Sequence, residues 1–273
     1  MKTFLSLLLL GLSLQAWAQK APLEQVGNHG SHDGSTKGKI LMIAANPATS
    51  SLTGWPVGCW AAELTHPYLE FTQAGYSVEL ASPNGGALEF DGYSDPRHES
   101  GYSASDLISL GFVNSPKLMD LLKNTRKLST VKAEDYVAIF LVGGQSPMYT
   151  FKGNQELMQF VGKFYETGKP TASVCHSTCV LLDTKLSNGK LLVDGKTWTG
   201  FANSEEQYAE QAVGQKLQPF WIENEARKLK NTTFKVQPAF TPYAIQDGNL
   251  ITGQQQNSGG LAAQMVVKAL EKR

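Results

Sequence analysis

Residues 171–182 read TASVCHSTCVLL, a run of small and β-branched residues that ends at Cys175 and His176 before an apolar helical stretch begins. The pattern is that of a nucleophile elbow, where a strand turns sharply into a helix and lifts the turn residue's side chain above the sheet. Cys175 occupies the turn. The first N–H groups of the helix then point at whatever that side chain attacks, and they pull the thiol pKa down toward the reactive thiolate. An inert buried thiol is the commoner fate of cysteine. Three features weigh against it here: His176 follows directly, neither Gly nor Pro makes the stretch a loop, and the preceding strand ends in Gly143-Gly144.

Working outward, Tyr136–Val142 (YVAIFLV) is the strongest strand signal, and 154–167 is an amphipathic helix closed by Gly168. Upstream, Lys39–Ala45 (KILMIAA) predicts a fully buried first strand, 60–74 a helix despite Pro67, and Tyr76–Ala81 a second strand. Residues 87–115 are polar and glycine-punctuated, as in a loop or lid over a site; Ser115–Asn124 is a short helix with Pro116 at its first position. Such alternation predicts an α/β fold, a mostly parallel sheet with helices on both faces. Downstream, the pattern predicts a hairpin of 190–194 with 196–201, helices over 204–213 and 219–230, and a closing helix over Leu261–Glu271. Asp247-Gly248 predicts a further hairpin between Tyr243–Gln246 and Asn249–Thr252.

The 273 residues carry no net charge, so neither a nucleic-acid surface nor an anionic membrane surface is indicated. A hydrophobic content of 41% supplies a sizeable core. Lys2, the apolar run Phe4–Leu14 and Ala16-Trp17-Ala18 read as a signal peptide over 1–18, too short for a membrane span. The mature chain is expected to start near Gln19, periplasmic or secreted, with a flexible linker over 19–38 and one domain over 39–273. In that oxidising setting three cysteines leave at least one thiol free. Cys175 and Cys179 are one helical turn apart, where a bridge would strain the helix. A Cys59–Cys179 bridge stays open, although Cys179 reads better as a small apolar core residue. His29, His32 and Asp33 in the linker, or Cys59, Glu63 and His66 on one helical face, make a poor metal set, so no metal is expected.

Ligands of an open α/β sheet bind outside the carboxyl ends of its strands. There Gly143, Gly144 and Gln145 let the backbone approach a small substrate, and their N–H groups with that of His176 could form an oxyanion hole; a plain tight turn is the alternative. Glu63 sits early in its helix among apolar neighbours. A partly buried carboxyl there has a raised pKa and can donate a proton to a thiolate or exchange one with a substrate carbon, whereas a solvated one would do neither.

The elbow, the Gly-Gly strand end, TGWPVGCWAAELTHPY (53–68) and AGYSVELASPNGG (74–86) together resemble the ThiJ/PfpI superfamily of the class I glutamine amidotransferase-like fold. WTGFANSEE (198–206) and LITGQQQNSGGLAAQMVV (250–267) resemble later motifs of its heat-shock and glutathione-independent glyoxalase III branch. The resemblance implies a flavodoxin-like three-layer sandwich with Cys175 as nucleophile, His176 beside it, Glu63 as supporting acid and a third carboxylate that orients the histidine. That carboxylate is Glu206 or, less well, Glu205. The chain departs from the branch in having Gln145, Ser146 and Thr150 where relatives carry Gly-Gly-His-Gly and an Asp, and Ser177 where they carry Gly.

The activity implied is a cofactor-independent lyase that converts a small 2-oxoaldehyde such as methylglyoxal to a 2-hydroxy acid such as lactate, through a Cys175 hemithioacetal. The expected partner is thus a small carbonyl compound, with no nucleic acid and no membrane span; a homodimer stays open. Two rival readings remain. One is a stress-response chaperone or thiol redox sensor without turnover. The other is a cysteine amidase or peptidase with a Cys175-His176-Glu206 triad.

Overall fold

The computed structural model describes residues 36–273; the expected signal peptide and most of the expected linker, with His29, His32 and Asp33, lie outside the described residues. β1 (Lys39–Ile43) is an apolar strand, buried from Ile40 on. A small hairpin of β2 (Ala48–Thr49) and β3 (Pro56–Val57) follows, then α1 (Ala61–Gln73) and β4 (Ser77–Ser82). α2 (Leu107–Val113), α3 (Pro116–Asp120) and β5 (Arg126–Lys127) lead to β6 (Ala138–Leu141), and α4 (Pro147–Thr150) and α5 (Gln155–Glu166) join β6 to β7 (Thr171–Val174). The remainder is β8 (Thr197–Trp198), α6 (Asn203–Val213), α7 (Ile222–Ala226), β9 (Thr233–Phe234), β10 (Ala244–Asp247), β11 (Leu250–Gly253) and α8 (Gly259–Glu271).

Among the described residues, seven strands form the main sheet in the order β10-β11-β7-β6-β1-β4-β5, and every neighbouring pair is parallel except β10 with β11. From β1 the chain crosses to β4 on one side, and from β6 to β7 on the other. Right-handed crossovers in opposite directions put α1 and α5 on opposite faces. α8 packs against α1, so the expected mostly parallel three-layer architecture is the one observed. Its start is pressed close, since a Cβ on Gly259 would lie 3.3 Å from the Cα of Glu63. α5 shows why the pattern was readable: Asn154 caps it by accepting the Leu157 N–H at 3.0 Å, and Leu157, Met158, Val161 and Phe164 bury one face.

Several expectations are corrected. The segment after the elbow, Cys175–Leu182, is a 3-10 run rather than an α-helix. The expected hairpin of 190–201 does not form; Thr197–Trp198 pairs in parallel with Thr233–Phe234, a partner too distant in sequence for local pattern to reveal. The helix expected over 219–230 is confined to α7. Within the expected lid, α2 forms because the Asp106 carboxylate accepts the N–H groups of Ile108 and Ser109. The β10–β11 hairpin slips by one residue: Asp247 pairs with Leu250, so Gly248-Asn249 is the turn, with Gly248 at φ +65°.

Candidate active site

Cys175 stands at the end of β7 with φ +56°. A non-glycine residue in this left-handed region costs roughly 1–3 kcal/mol, and it persists where the surroundings over-determine it. Ser177 supplies much of that constraint: its hydroxyl accepts the Val174 N–H at 3.0 Å and lies 3.0 Å from the Leu141 carbonyl, tying β7 to β6 beneath the turn. Ser177 therefore braces the elbow from below. Ser146 and Thr150 are structural too, Ser146 donating to the Asn46 carbonyl and Thr150 to the Ser146 carbonyl at 3.1 Å.

The sulfur is 2% exposed, yet it reaches the floor of a cavity. The N–H groups of Gly144 and His176 face it. Gly143 and Gly144 are required by space: a Cβ on Gly143 would lie 2.1 Å from Glu63 Oε2 and 2.7 Å from the Cys175 Cβ, and one on Gly144 2.4 Å from the Trp60 nitrogen. Glu63 lies behind the sulfur, wholly buried and off the cavity wall; its carboxyl faces the Cys175 thiol and the Gly143 N–H, and among the described residues neither oxygen has a well-formed hydrogen bond. Burial lifts its pKa to about 8. A neutral Glu63 has its proton to offer the sulfur, and the residue does not itself line the cavity.

The expected lowering of the thiol pKa is not what the surroundings produce. Burial pushes Cys175 up, and a charged Glu63 would push it further, against the pull of the Gly144 and His176 N–H groups. With Glu63 neutral the carboxylate's repulsion is gone, so burial alone opposes the two N–H donors.

His176 Nδ1 is 3.4 Å from the Cys175 sulfur, and its Nε2 is 2.9 Å from Glu206 Oε1. Phe201 stacks on the ring with centroids 4.1 Å apart. The choice between adjacent glutamates is thereby made. Glu205 turns the other way and accepts the N–H groups of Ala202 and Phe240 and the Gln254 amide, which makes it a structural carboxylate. Cys59 and Cys179 are free, buried thiols, and burial pushes Cys179 up to about 12; the Cys59–Cys179 bridge is not formed. His66 pairs with Asp106 at 2.9 Å.

Asp91, from the segment read as a loop or lid, lines the cavity and was missed from the sequence. Its carboxylate accepts the N–H groups of Gly58 and Gln145, both at 2.8 Å, and so clamps the loop before α1 to the strand end after β6. Burial raises its pKa to about 6 against those two hydrogen bonds. Of the N–H groups expected in an oxyanion hole, that of Gln145 is thus already taken and that of Gly143 faces the Glu63 carboxyl; the groups left for that role are those of Gly144 and His176. No local signal marks Asp91, because it acts through loop residues far away in sequence. The cavity measures about 370 Å³, and its walls are largely aromatic, with Trp55, Trp60, Tyr93, Tyr102, Phe201 and Phe240 among them.

The pattern of the DJ-1/PfpI family matches residues 58–269, which takes in α1, the β6 strand end, the elbow and α6. The chain belongs to the DJ-1/PfpI family. Glyoxalase 3 of Candida albicans is 26% identical over 237 residues, covering 85% of this chain and 98% of that protein. The glutathione-independent glyoxalase HSP31 of Saccharomyces cerevisiae is 26% identical over 226 residues, covering 80% and 91%. Among solved structures, Rapid Encystment Protein 24 KDa of Francisella tularensis superposes with a TM-score of 0.75 at 23% identity, covering 85% of this chain and 99% of that one. Glyoxalase III of Candida albicans gives 0.72 at 23% identity, covering 86% and 98%. Both likenesses bear on the fold.

Proposed function

We propose that the chain is a cofactor-independent lyase of the glyoxalase III type, which turns methylglyoxal into lactate without glutathione. One observation carries this reading: a sulfur at a cavity floor stands between a buried carboxyl that holds its proton and an imidazole paired with a carboxylate. The similarity to proteins named glutathione-independent glyoxalases supports it. As the sulfur adds to the aldehyde carbon, the thiol proton passes to His176 Nδ1 and from there to the new alkoxide, giving a hemithioacetal. His176, facing the cavity, then takes the proton of that carbon to leave an enediolate, the hydroxyl proton shifts to the former ketone oxygen, and the imidazolium returns its proton to the neighbouring carbon. The thioester so formed is cleaved by water, which releases the 2-hydroxy acid and restores the thiol. Glu206 steadies the imidazolium, the Gly144 and His176 N–H groups hold the developing oxyanion, and neutral Glu63 stabilises sulfur as it leaves. The carbon proton transfer expected of Glu63 thereby falls to His176. A periplasmic or secreted location belongs to the same proposal and rests on the amino-terminal pattern of Lys2, Phe4–Leu14 and Ala16-Trp17-Ala18.

The test is methylglyoxal loss and lactate gain by the purified chain in glutathione-free buffer. Cys175→Ala is expected to remove at least about 10⁴-fold of kcat, as loss of a nucleophile does. Turnover that survives this change sinks the reading. The same Cys175-His176-Glu206 geometry favours a second one, a cysteine amidase or peptidase. Release of an amine from amide substrates, lost in Glu206→Gln while methylglyoxal stays untouched, would select it.

A further inference from the structure

The cavity exceeds what a three-carbon aldehyde needs. Its volume of about 370 Å³ falls in the range of roughly 300–1,000 Å³ that accommodates drug-sized ligands. Exposed large apolar side chains are ordinarily scattered singly. Here Trp55, Tyr93, Tyr102 and Tyr208 are exposed and all line this one cavity. α6 contributes Ala209 and Ala212, whose small side chains leave space between the aromatic walls.

Beyond α6 stands Gln218, 1% exposed and lining the cavity. Its Oε1 is buried with no hydrogen-bond partner among the described residues. The adjoining backbone is fixed, with the Leu217 N–H donating to Glu210 at 3.0 Å and the Leu217 carbonyl accepting from Tyr149 at 3.3 Å. A buried amide without a protein partner in a native fold calls for an explanation, and a ligand group reaching Gln218 from the cavity supplies one. Leu217 and Val213 line the cavity with it and, among the described residues, no Lys or Arg does, so the matching group carries no negative charge.

We propose that Gln218 is a specificity-determining residue and that the cavity takes an aryl 2-oxoaldehyde bearing a ring hydroxyl. The aldehyde carbon meets the Cys175 sulfur, the ring lies between the aromatic walls, and the hydroxyl pairs with the Gln218 amide. A hydroxyl both donates and accepts, so it satisfies either end of that amide. The proposal rests on the lyase reading and keeps its chemistry: hydrogen moves from the aldehyde carbon to the ketone carbon, one water is consumed, and no redox partner is needed. The product is a hydroxymandelic acid.

The experiment compares kcat/KM of the full chain, without glutathione, for 4-hydroxyphenylglyoxal, phenylglyoxal and methylglyoxal, with Gln218→Met as the variant. Calorimetric Kd values for 4-hydroxymandelate and mandelate are measured in parallel. The wild-type chain is expected to prefer both aryl substrates to methylglyoxal and the hydroxylated one to phenylglyoxal by about tenfold, with the second ratio falling to about one in Gln218→Met. Methylglyoxal preferred over both, or a hydroxyl ratio near one in the wild type, overturns the proposal and leaves the lyase reading intact; these ratios decide even if Gln218→Met fails to fold. Tighter binding of 4-hydroxymandelate than mandelate, lost in Gln218→Met, with no 2-oxoaldehyde turned over, keeps the subsite and overturns the lyase. Neither turnover nor selective binding overturns both.

Discussion

At the cavity floor, Cys175, Glu206 and Asp91, with Glu63 behind the sulfur, are almost wholly buried, whereas at its mouth Trp55, Tyr93, Tyr102 and Tyr208 stand exposed. The floor has no slack: two glycines are packed where no Cβ fits, and Asp91 ties both sides together through backbone amides. The mouth is apolar and roomy, with few hydrogen bonds to hold its rings. Buried, over-determined groups suit chemistry that requires fixed proton positions. A looser aromatic rim suits selection by shape and apolar area. Changes at the floor should therefore cost turnover, and changes at the mouth should cost affinity.

The largest effect is expected from Gly143→Ala. The added methyl collides with Glu63 Oε2 and the Cys175 Cβ, so turnover should vanish and denaturant unfolding should show a loss of about 1–3 kcal/mol from overpacking. Normal activity in this variant would mean that the floor is not rigid.

Glu63→Gln comes next. The folded pKa of about 8 lies above the ordinary 4.5, so the fold binds this proton more tightly than the unfolded chain does. Stability from that proton is full below pH 4.5 and is lost as pH rises through about 8, a change on the order of 5 kcal/mol. Unfolding measured across this range should fall in the wild type and flatten in Glu63→Gln, apart from residual slopes belonging to Asp91 between about 4 and 6 and to Glu205 and Glu206, which burial also raises. Parallel slopes would show Glu63 to be an ordinary carboxylate. The variant should also lose about 10²-fold of kcat through the missing proton.

Adjacent glutamates offer a sharper contrast. Glu206→Gln should lower kcat by roughly 10²-fold, the smaller end of general acid–base effects, with little change in Tm. Glu205→Gln should keep kcat and instead destabilise by about 1–3 kcal/mol, because the Ala202 and Phe240 N–H groups lose a charged acceptor. The smallest effect belongs to the rim: Tyr208→Ala should raise KM about threefold, with kcat changed less than KM, as loss of uniform binding does. A larger fall in kcat than in affinity would erase the distinction between floor and mouth.

Residues 39–43, 155–166 and 171–174 were legible because apolar periodicity, an Asn cap and glycine stops are local signals, and they carried the α/β fold and the elbow. Cys175, His176 and the Gly-Gly strand end were readable for the same reason: an elbow is a short-range motif. The pairing of 197–198 with 233–234, the slipped β10–β11 turn and the 3-10 form of 175–182 were not, since each depends on what packs against the segment. Adjacent helical residues point about 100° apart, so which of Glu205 and Glu206 meets His176 is fixed by how α6 docks. Asp91 and Gln218 carry no motif at all; their surroundings exist once distant loops converge, and burial there sets the proton on Glu63 and leaves the Gln218 oxygen without a partner.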